Sequence, residues 1–157
     1  GDDADSPRVV VETPGMAGTQ SAPVAVSDFM SVKAFFGNLR MTAEGEECET
    51  VFAVSRRVPR SSGVARSALG ELLNGLTPEE EAMGYQTSIN SGVAIQDLKL
   101  ENGVLRVDFS RKLEEGVGGS CRVSAIRSQI TETLKQFPTV KEVIISINGK
   151  TEDILQP

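Results

Sequence analysis

From Phe29 onward, apolar and polar residues alternate along the chain. Met30, Val32, Ala34 and Phe36 fall on one side and Ser31, Lys33 and Phe35 on the other, the two-residue period of a strand. Thr50 to Arg56 repeats the pattern with Val51, Phe52 and Val54, after an acidic stretch from Glu44 to Glu49. These two strands are predicted to pair as a hairpin across a long loop. The period then lengthens. Val64, Ala65, Ala68, Leu69, Leu72, Leu73 and Leu76 recur at spacings of three and four, which puts them on one stripe of a helix. Ser61 or Ser62 is the expected cap at its start, and Gly75 lies near its end. Thr77-Pro78-Glu79-Glu80 opens a short second helix, with Thr as N-cap and Pro in the first turn.

Asn102-Gly103 is the strongest hairpin signal in the chain, because both turn positions need positive φ. A two-residue turn there sets Leu100 opposite Leu105 and Leu98 opposite Val107 on one face. Lys99 and Arg106, then Asp97 and Asp108, fall on the other face, where diagonal Lys99–Asp108 and Asp97–Arg106 contacts would relieve the like charges. After Gly116 to Ser120, a second long helix carries Val123, Ile126, Ile130, Leu134 and Phe137 on one stripe and stops at Pro138. Lys141 to Asn148 closes the pattern as a strand, with Val143, Ile145 and Ile147 on one face. The order is β-β-α-β-β-α-β. It specifies an α+β fold in which a mixed sheet carries two main helices on one face.

The periodic region, residues 29–150, is one domain. Residues 1–28 are rich in Gly, Ala, Ser, Pro and Asp without a period, and read as a flexible N-terminal arm; residues 151–157 read as a C-terminal tail. As a coil, the arm would hold its ends ~30 Å apart, which suits a tether.

Composition narrows the chemistry. Histidine is absent, which removes Ser-His and Cys-His nucleophile pairs and the common zinc sites. The net charge of -6 argues against nucleic acid as a partner. No apolar run approaches the ~20 residues that span a bilayer. The two cysteines, Cys48 and Cys121, belong to no C-x-x-C motif; they can be buried thiols, include one reactive thiol, or form a disulfide. Their settings, Glu46-Glu47-Cys48-Glu49 and Gly118-Gly119-Ser120-Cys121, are not core contexts, and this favours the disulfide. Closing so long a loop is worth ~4 kcal/mol in the chain-entropy account.

Other constellations carry weaker chemistry. Asp97 and Asp108 face each other, but the interleaved Lys99 and Arg106 make them a solvated charge ladder. Glu44, Glu46, Glu47 and Glu49 lack the alternating Asp and Asn and the turn glycine of a calcium loop. Gly116 to Ser120 precedes a helix as an anion nest would, without the P-loop pattern or a following lysine. Arg56, Arg57, Arg60 and Arg66 form the basic cluster of an acidic chain. They are the candidate interaction surface, suited to an acidic partner, anionic lipid heads or a wall polymer. No metal site and no cofactor is expected.

Taken in order, several segments resemble the GerMN domain, named for a sporulation and spore-germination protein. They are Val32-Lys33-Ala34-Phe35-Phe36; Val51 to Pro59 (VFAVSRRVP); Ala68 to Thr77 (ALGELLNGLT) with Glu80 and Gly84; Asn102 to Ser110 (NGVLRVDFS); and Gln136-Phe137-Pro138 with Val140 to Gly149. The match spans about residues 31–149. The resemblance implies a fold similar to ring-building motifs and a non-enzymatic, extracytoplasmic domain, often part of a lipoprotein, connected with sporulation, germination or envelope assembly. It implies an envelope protein or self-assembly as the partner, and membrane association through a removed N-terminal anchor. Residues 1–28 hold no lipobox cysteine, so lipidation rests on the resemblance alone, and the Cys48–Cys121 pair is not a general mark of the family. The rival expectation is a module that binds peptidoglycan or another wall glycan. Scarce aromatics (4%) speak against it, with Tyr85 the one Tyr and no Trp.

Overall fold

The computed structural model describes residues 28–43 and 48–156, so the predicted arm and most of the acidic loop lie outside the described residues. The chain divides into two compact units. The larger comprises residues 32–56 and 61–157; the described part of the smaller comprises residues 28–31 and 57–60.

The elements are β1 (Phe29–Asn38), β2 (Phe52–Pro59), α1 (Val64–Asn74), α2 (Pro78–Ala82), β3 (Tyr85–Gln86), β4 (Ile95–Glu101), β5 (Val104–Phe109), α3 (Ser120–Lys135) and β6 (Glu142–Ile147), with a 3-10 turn at Arg111–Leu113 before α3. The α+β class and the predicted order hold, with the short β3 added. The strands divide between two three-stranded sheets, ordered β2-β1-β3 and β4-β5-β6, rather than forming one sheet. The second sheet is the mixed one: β4 runs antiparallel to β5, and β6 runs parallel to β5 after the α3 crossover.

The hairpin register is the expected one, Leu100 opposite Leu105 through Asp97 opposite Asp108. Asn102 and Gly103 both take positive φ, 51° and 81°. A Cβ on Gly103 would come within 2.9 Å of the Lys141 side chain, so glycine is needed there for space as well as for φ. The two strands differ in burial. Leu105 is 1% exposed and Leu100 44%, because β4 is the edge of its sheet.

One core cluster joins Ala34 and Phe36 of β1, Val54 of β2, Leu69 and Leu72 of α1, Phe109 of β5, Ile126, Ile130 and Leu134 of α3, and Ile145 and Ile147 of β6. Each comes from the apolar phase of its element, as the alternation and the helical stripes require. Ile154 and Leu155 belong to the same cluster. Arg127 donates to the Ile154 carbonyl and Leu155 N–H donates to Glu114, so this end of the chain packs on the domain instead of trailing from it.

Two helix starts differ in chemistry. Neither Ser61 nor Ser62 caps α1: Gly63 is the N-cap, without a side-chain bond, and its N–H donates to Ser61 Oγ. At α2 the capping box is complete, Thr77 accepting from Glu80 N–H and Glu80 accepting from Thr77 N–H.

The polar residues of α3 finish the first sheet. β3 covers β1 only at Gly37 and Asn38, leaving the edge at Lys33 and Phe35 open. Gln129 and Thr133 on α3 and Gln136 at its C-cap, spaced by four and three, fill it. Gln129 Nε2 donates to Phe35 C=O and to Thr87 Oγ1, and its Oε1 accepts from Ser88 N–H. Phe35 N–H donates to Thr133 Oγ1, while Gln136 both accepts from Lys33 N–H and donates to Lys33 C=O. A helix face thus does for this edge what a longer strand would do.

Candidate functional site

The arginines of the predicted surface have separate fates. Arg56 is taken up inside the larger unit. Its guanidinium meets both carboxylate oxygens of Glu80, at 2.5 and 3.1 Å, reaches Glu71 Oε1 at 3.3 Å, and donates to the Gly75 carbonyl at 3.0 Å. It also lies 5.5 Å from the Phe36 ring centroid, and its side chain is only 12% exposed. Because Glu80 also completes the capping box, Arg56 ties β2 to the end of α1 and the start of α2. The structure therefore removes Arg56 from the interaction surface. In the smaller unit, Arg57 is exposed and stacks over Phe29 at 4.2 Å, and Arg60 donates to the Phe29 carbonyl. Arg66 is exposed on α1 and lines a groove of about 380 Å³ with Leu98, Leu100, Phe137 and Val140.

Cys48 and Cys121 are joined as a disulfide with Cα atoms 5.3 Å apart, bridging 73 positions. The bond pins the segment before Thr50 to the start of α3, and Ser128 Oγ donates to the Glu49 carbonyl about two turns further along. Both half-cystines line a cleft of about 660 Å³ together with Gly37, Leu39, Gln86 and Arg122. The cleft's cation is engaged: Arg122 donates to Ser88 C=O and to Asn90 Oδ1.

The carboxylates do not form a catalytic pair. Partial burial pushes the Asp108 carboxyl up, but hydrogen bonds from Ser146 Oγ, Gly149 N–H and Gln96 Nε2 outweigh it and hold the group below its ordinary value. The expected Lys99–Asp108 and Asp97–Arg106 contacts are not made, and Asp108 is bonded instead by Ser146, Gly149 and the bulged Gln96. Among the described residues no three metal-ligating side chains gather at one place.

One feature was invisible to periodicity. Asn38, buried at the end of β1, accepts from Arg40 N–H and Met41 N–H through Oδ1 and donates to the Met83 carbonyl. Leu39 N–H donates to the Gly84 carbonyl. Gly84 has φ of 98°, and a Cβ there would strike Asn38 Oδ1 at 2.8 Å. This knot gathers residues 38–42 and 83–84 into one corner that carries Leu39, Met41 and Met83, exposed by 72, 51 and 57%. No sequence pattern marked them, since each is a lone apolar residue in a turn.

These observations define a disulfide-pinned α+β domain with an exposed apolar corner. The chain belongs to the sporulation and spore germination family Germane, whose profile matches residues 35–153. Among solved structures it is similar to the tandem GerMN domains of the sporulation protein GerM from Bacillus subtilis, with TM-score 0.59 and 20% identity over 78% of this chain and 40% of that one. The chain thus spans less than half of that tandem protein. The first GerMN domain of the same protein matches with TM-score 0.56 and 18% identity, over 82% of this chain and 92% of that one. A candidate lipoprotein from Clostridium perfringens matches with TM-score 0.52 and 9% identity, over 87% and 86% of the two chains. No curated protein matches. Among the described residues no helix is long and apolar enough to cross a membrane.

Proposed function

We propose that this GerMN domain is a non-enzymatic, extracytoplasmic interaction module of the bacterial envelope that docks onto another protein through its apolar corner. The observation that carries the reading is the set of Leu39, Met41 and Met83, exposed to solvent on turns that Asn38 ties together. Exposed apolar side chains gathered at one place mark contact surfaces, and methionine adapts readily to a partner's shape. Arg57, Arg60 and Arg66 are further candidate contacts for an acidic partner. The disulfide suits an oxidising compartment, and the C. perfringens neighbour supports attachment as a lipoprotein. The family match supports a role in sporulation or germination.

The test is the size of the native complex. Gentle extraction from the producing cell and gel filtration should show the wild-type chain in a larger assembly. A Met41→Asp/Met83→Asp variant with an unchanged circular dichroism spectrum should elute as the smaller, unpartnered species. If the variant co-elutes with wild type, the corner is not the docking surface.

A further inference from the structure

A second surface, sharing no residue with the apolar corner, is the free edge of β4. β4 is the outermost strand of its sheet, and its outer edge has no backbone partner among the described residues. The hairpin register shows what faces that edge. In a two-residue hairpin the closing pair, here Glu101 and Val104, exchanges both backbone bonds, and bonding alternates from there. Glu101, Lys99 and Asp97 therefore direct their N–H and C=O groups to β5, and Leu98 and Leu100 direct theirs outward. The side chains sort by face. Leu98 and Leu100 border the apolar groove with Val64, Phe137 and Val140, and Leu100 is 44% exposed. Asp97 and Lys99 lie on the opposite face, exposed, and make no ion pair or side-chain hydrogen bond among the described residues.

We propose that β4 pairs antiparallel with β4 of a second copy of this chain, about a two-fold axis at Leu98. Outward-facing residues can meet in three registers. With Leu98 on Leu98, Asp97 lies opposite Lys99 of the second copy, and Lys99 opposite its Asp97. With Leu98 on Leu100, Lys99 meets Lys99 and Asp97 meets Glu101, so like charges meet throughout. With Leu100 on Leu100, Lys99 finds Glu101, but Leu98 runs into the Asn102 turn and the overlap shrinks. The charge pattern of β4 is thus self-complementary when Leu98 meets Leu98, with no residue set against a turn. The opposed charges fall at non-hydrogen-bonded positions, where cross-strand side chains come closest.

Edges are usually defended by proline, inward charges or bulges. β4 contains no proline. Its bulge at Gln96 lies at the far end, where the side chain turns in to Asp108, the Phe109 carbonyl and Asn148. The segment 97–101 stays regular and open. Pairing continues β4-β5-β6 into the same sheet of the second copy and brings the two apolar grooves together on one face.

Sedimentation equilibrium on the full, oxidised chain at low salt tests this. Wild type should show a concentration-dependent dimer. Asp97→Lys sets lysine against lysine at both symmetric contacts and should weaken association about tenfold, and the Asp97→Lys/Lys99→Asp double variant should restore it. A Leu98→Cys chain should form an interchain disulfide on oxidation, since facing Cα atoms in a hydrogen-bonded pair lie ~5.5 Å apart. A wild type that stays monomeric, a double variant as weak as the single, or a Leu98→Cys chain that does not crosslink would each overturn the proposal. None of these results bears on the apolar corner, so the two readings fail separately.

Discussion

Replacing Gln129 by methionine isolates the role of the polar seam between α3 and β1. Gln129 is 1% exposed, and methionine has nearly its shape without its hydrogen bonds. The change leaves Phe35 C=O and Ser88 N–H without partners, having lost bonds of 3.1 and 2.8 Å, and it breaks the 3.0 Å bond to Thr87 Oγ1. The Thr87 hydroxyl still accepts from Ile89 N–H, so its loss is small. Each of the two half-buried backbone groups costs up to ~1–3 kcal/mol when unsatisfied. Methionine recovers ~1 kcal/mol by burying apolar surface. The net loss is then ~1–5 kcal/mol, about 3 at the middle of the range, a large share of the 5–15 kcal/mol typical of a domain. Urea unfolding followed by far-UV circular dichroism reads it as a fall of roughly 1–3 M in midpoint at unchanged slope. Gln136→Met is the control. It breaks equivalent bonds to Lys33, but there water can replace the amide, so the loss should stay below ~1 kcal/mol. Equal losses for the two variants, or a Gln129→Met midpoint within ~0.3 M of wild type, would refute the reasoning.

Arg56→Met should cost ~2–3 kcal/mol, because Glu71 and Glu80 then face each other around a half-buried gap; a denaturation midpoint near wild type would show the ion pairs to be dispensable. Cys48→Ser/Cys121→Ser should lower stability by up to ~4 kcal/mol, and the oxidised wild-type chain should take up no alkylating reagent by intact mass. Asp108→Asn should destabilise by ~1–2 kcal/mol at neutral pH. The folded-state pKa of Asp108 is depressed, so its contribution is present above the unfolded carboxylate pKa and disappears as pH falls through the folded one. The gap between wild type and Asp108→Asn should therefore close in acid, and a gap that widens there would contradict the assignment.

What could be read from the sequence was what local physics determines. Alternation at Val32, Ala34 and Phe36, the stripes of α1 and α3, and the Asn-Gly turn each fix their element from neighbouring residues, and the hairpin register followed from the turn alone. Long-range pairings were out of reach. Arg56 looked like surface charge because its partners, Glu71 and Glu80, lie on other elements. Asp108 looked like half of a ladder because Ser146 and Gly149 arrive only through the parallel pairing of β6. The spacing of Gln129, Thr133 and Gln136 was in plain view, but a polar helical stripe reads as a solvated face unless a strand edge is known to lie beneath it. The two residues of β3 are too few to show a period, and without β3 nothing separated the strands into two sheets. The apolar corner was hidden for the same reason: Leu39, Met41 and Met83 converge only once Asn38 has bonded across the turns.

In-cell photo-crosslinking from position 41 probes the docking corner itself, with the full-length protein in its own envelope and adducts identified by mass spectrometry. One recurrent protein adduct is expected, and it should disappear when Met83→Asp is added. Adducts to wall glycan alone, or none above those formed from an exposed position elsewhere such as Glu132, would contradict docking through the corner and favour the glycan-binding alternative.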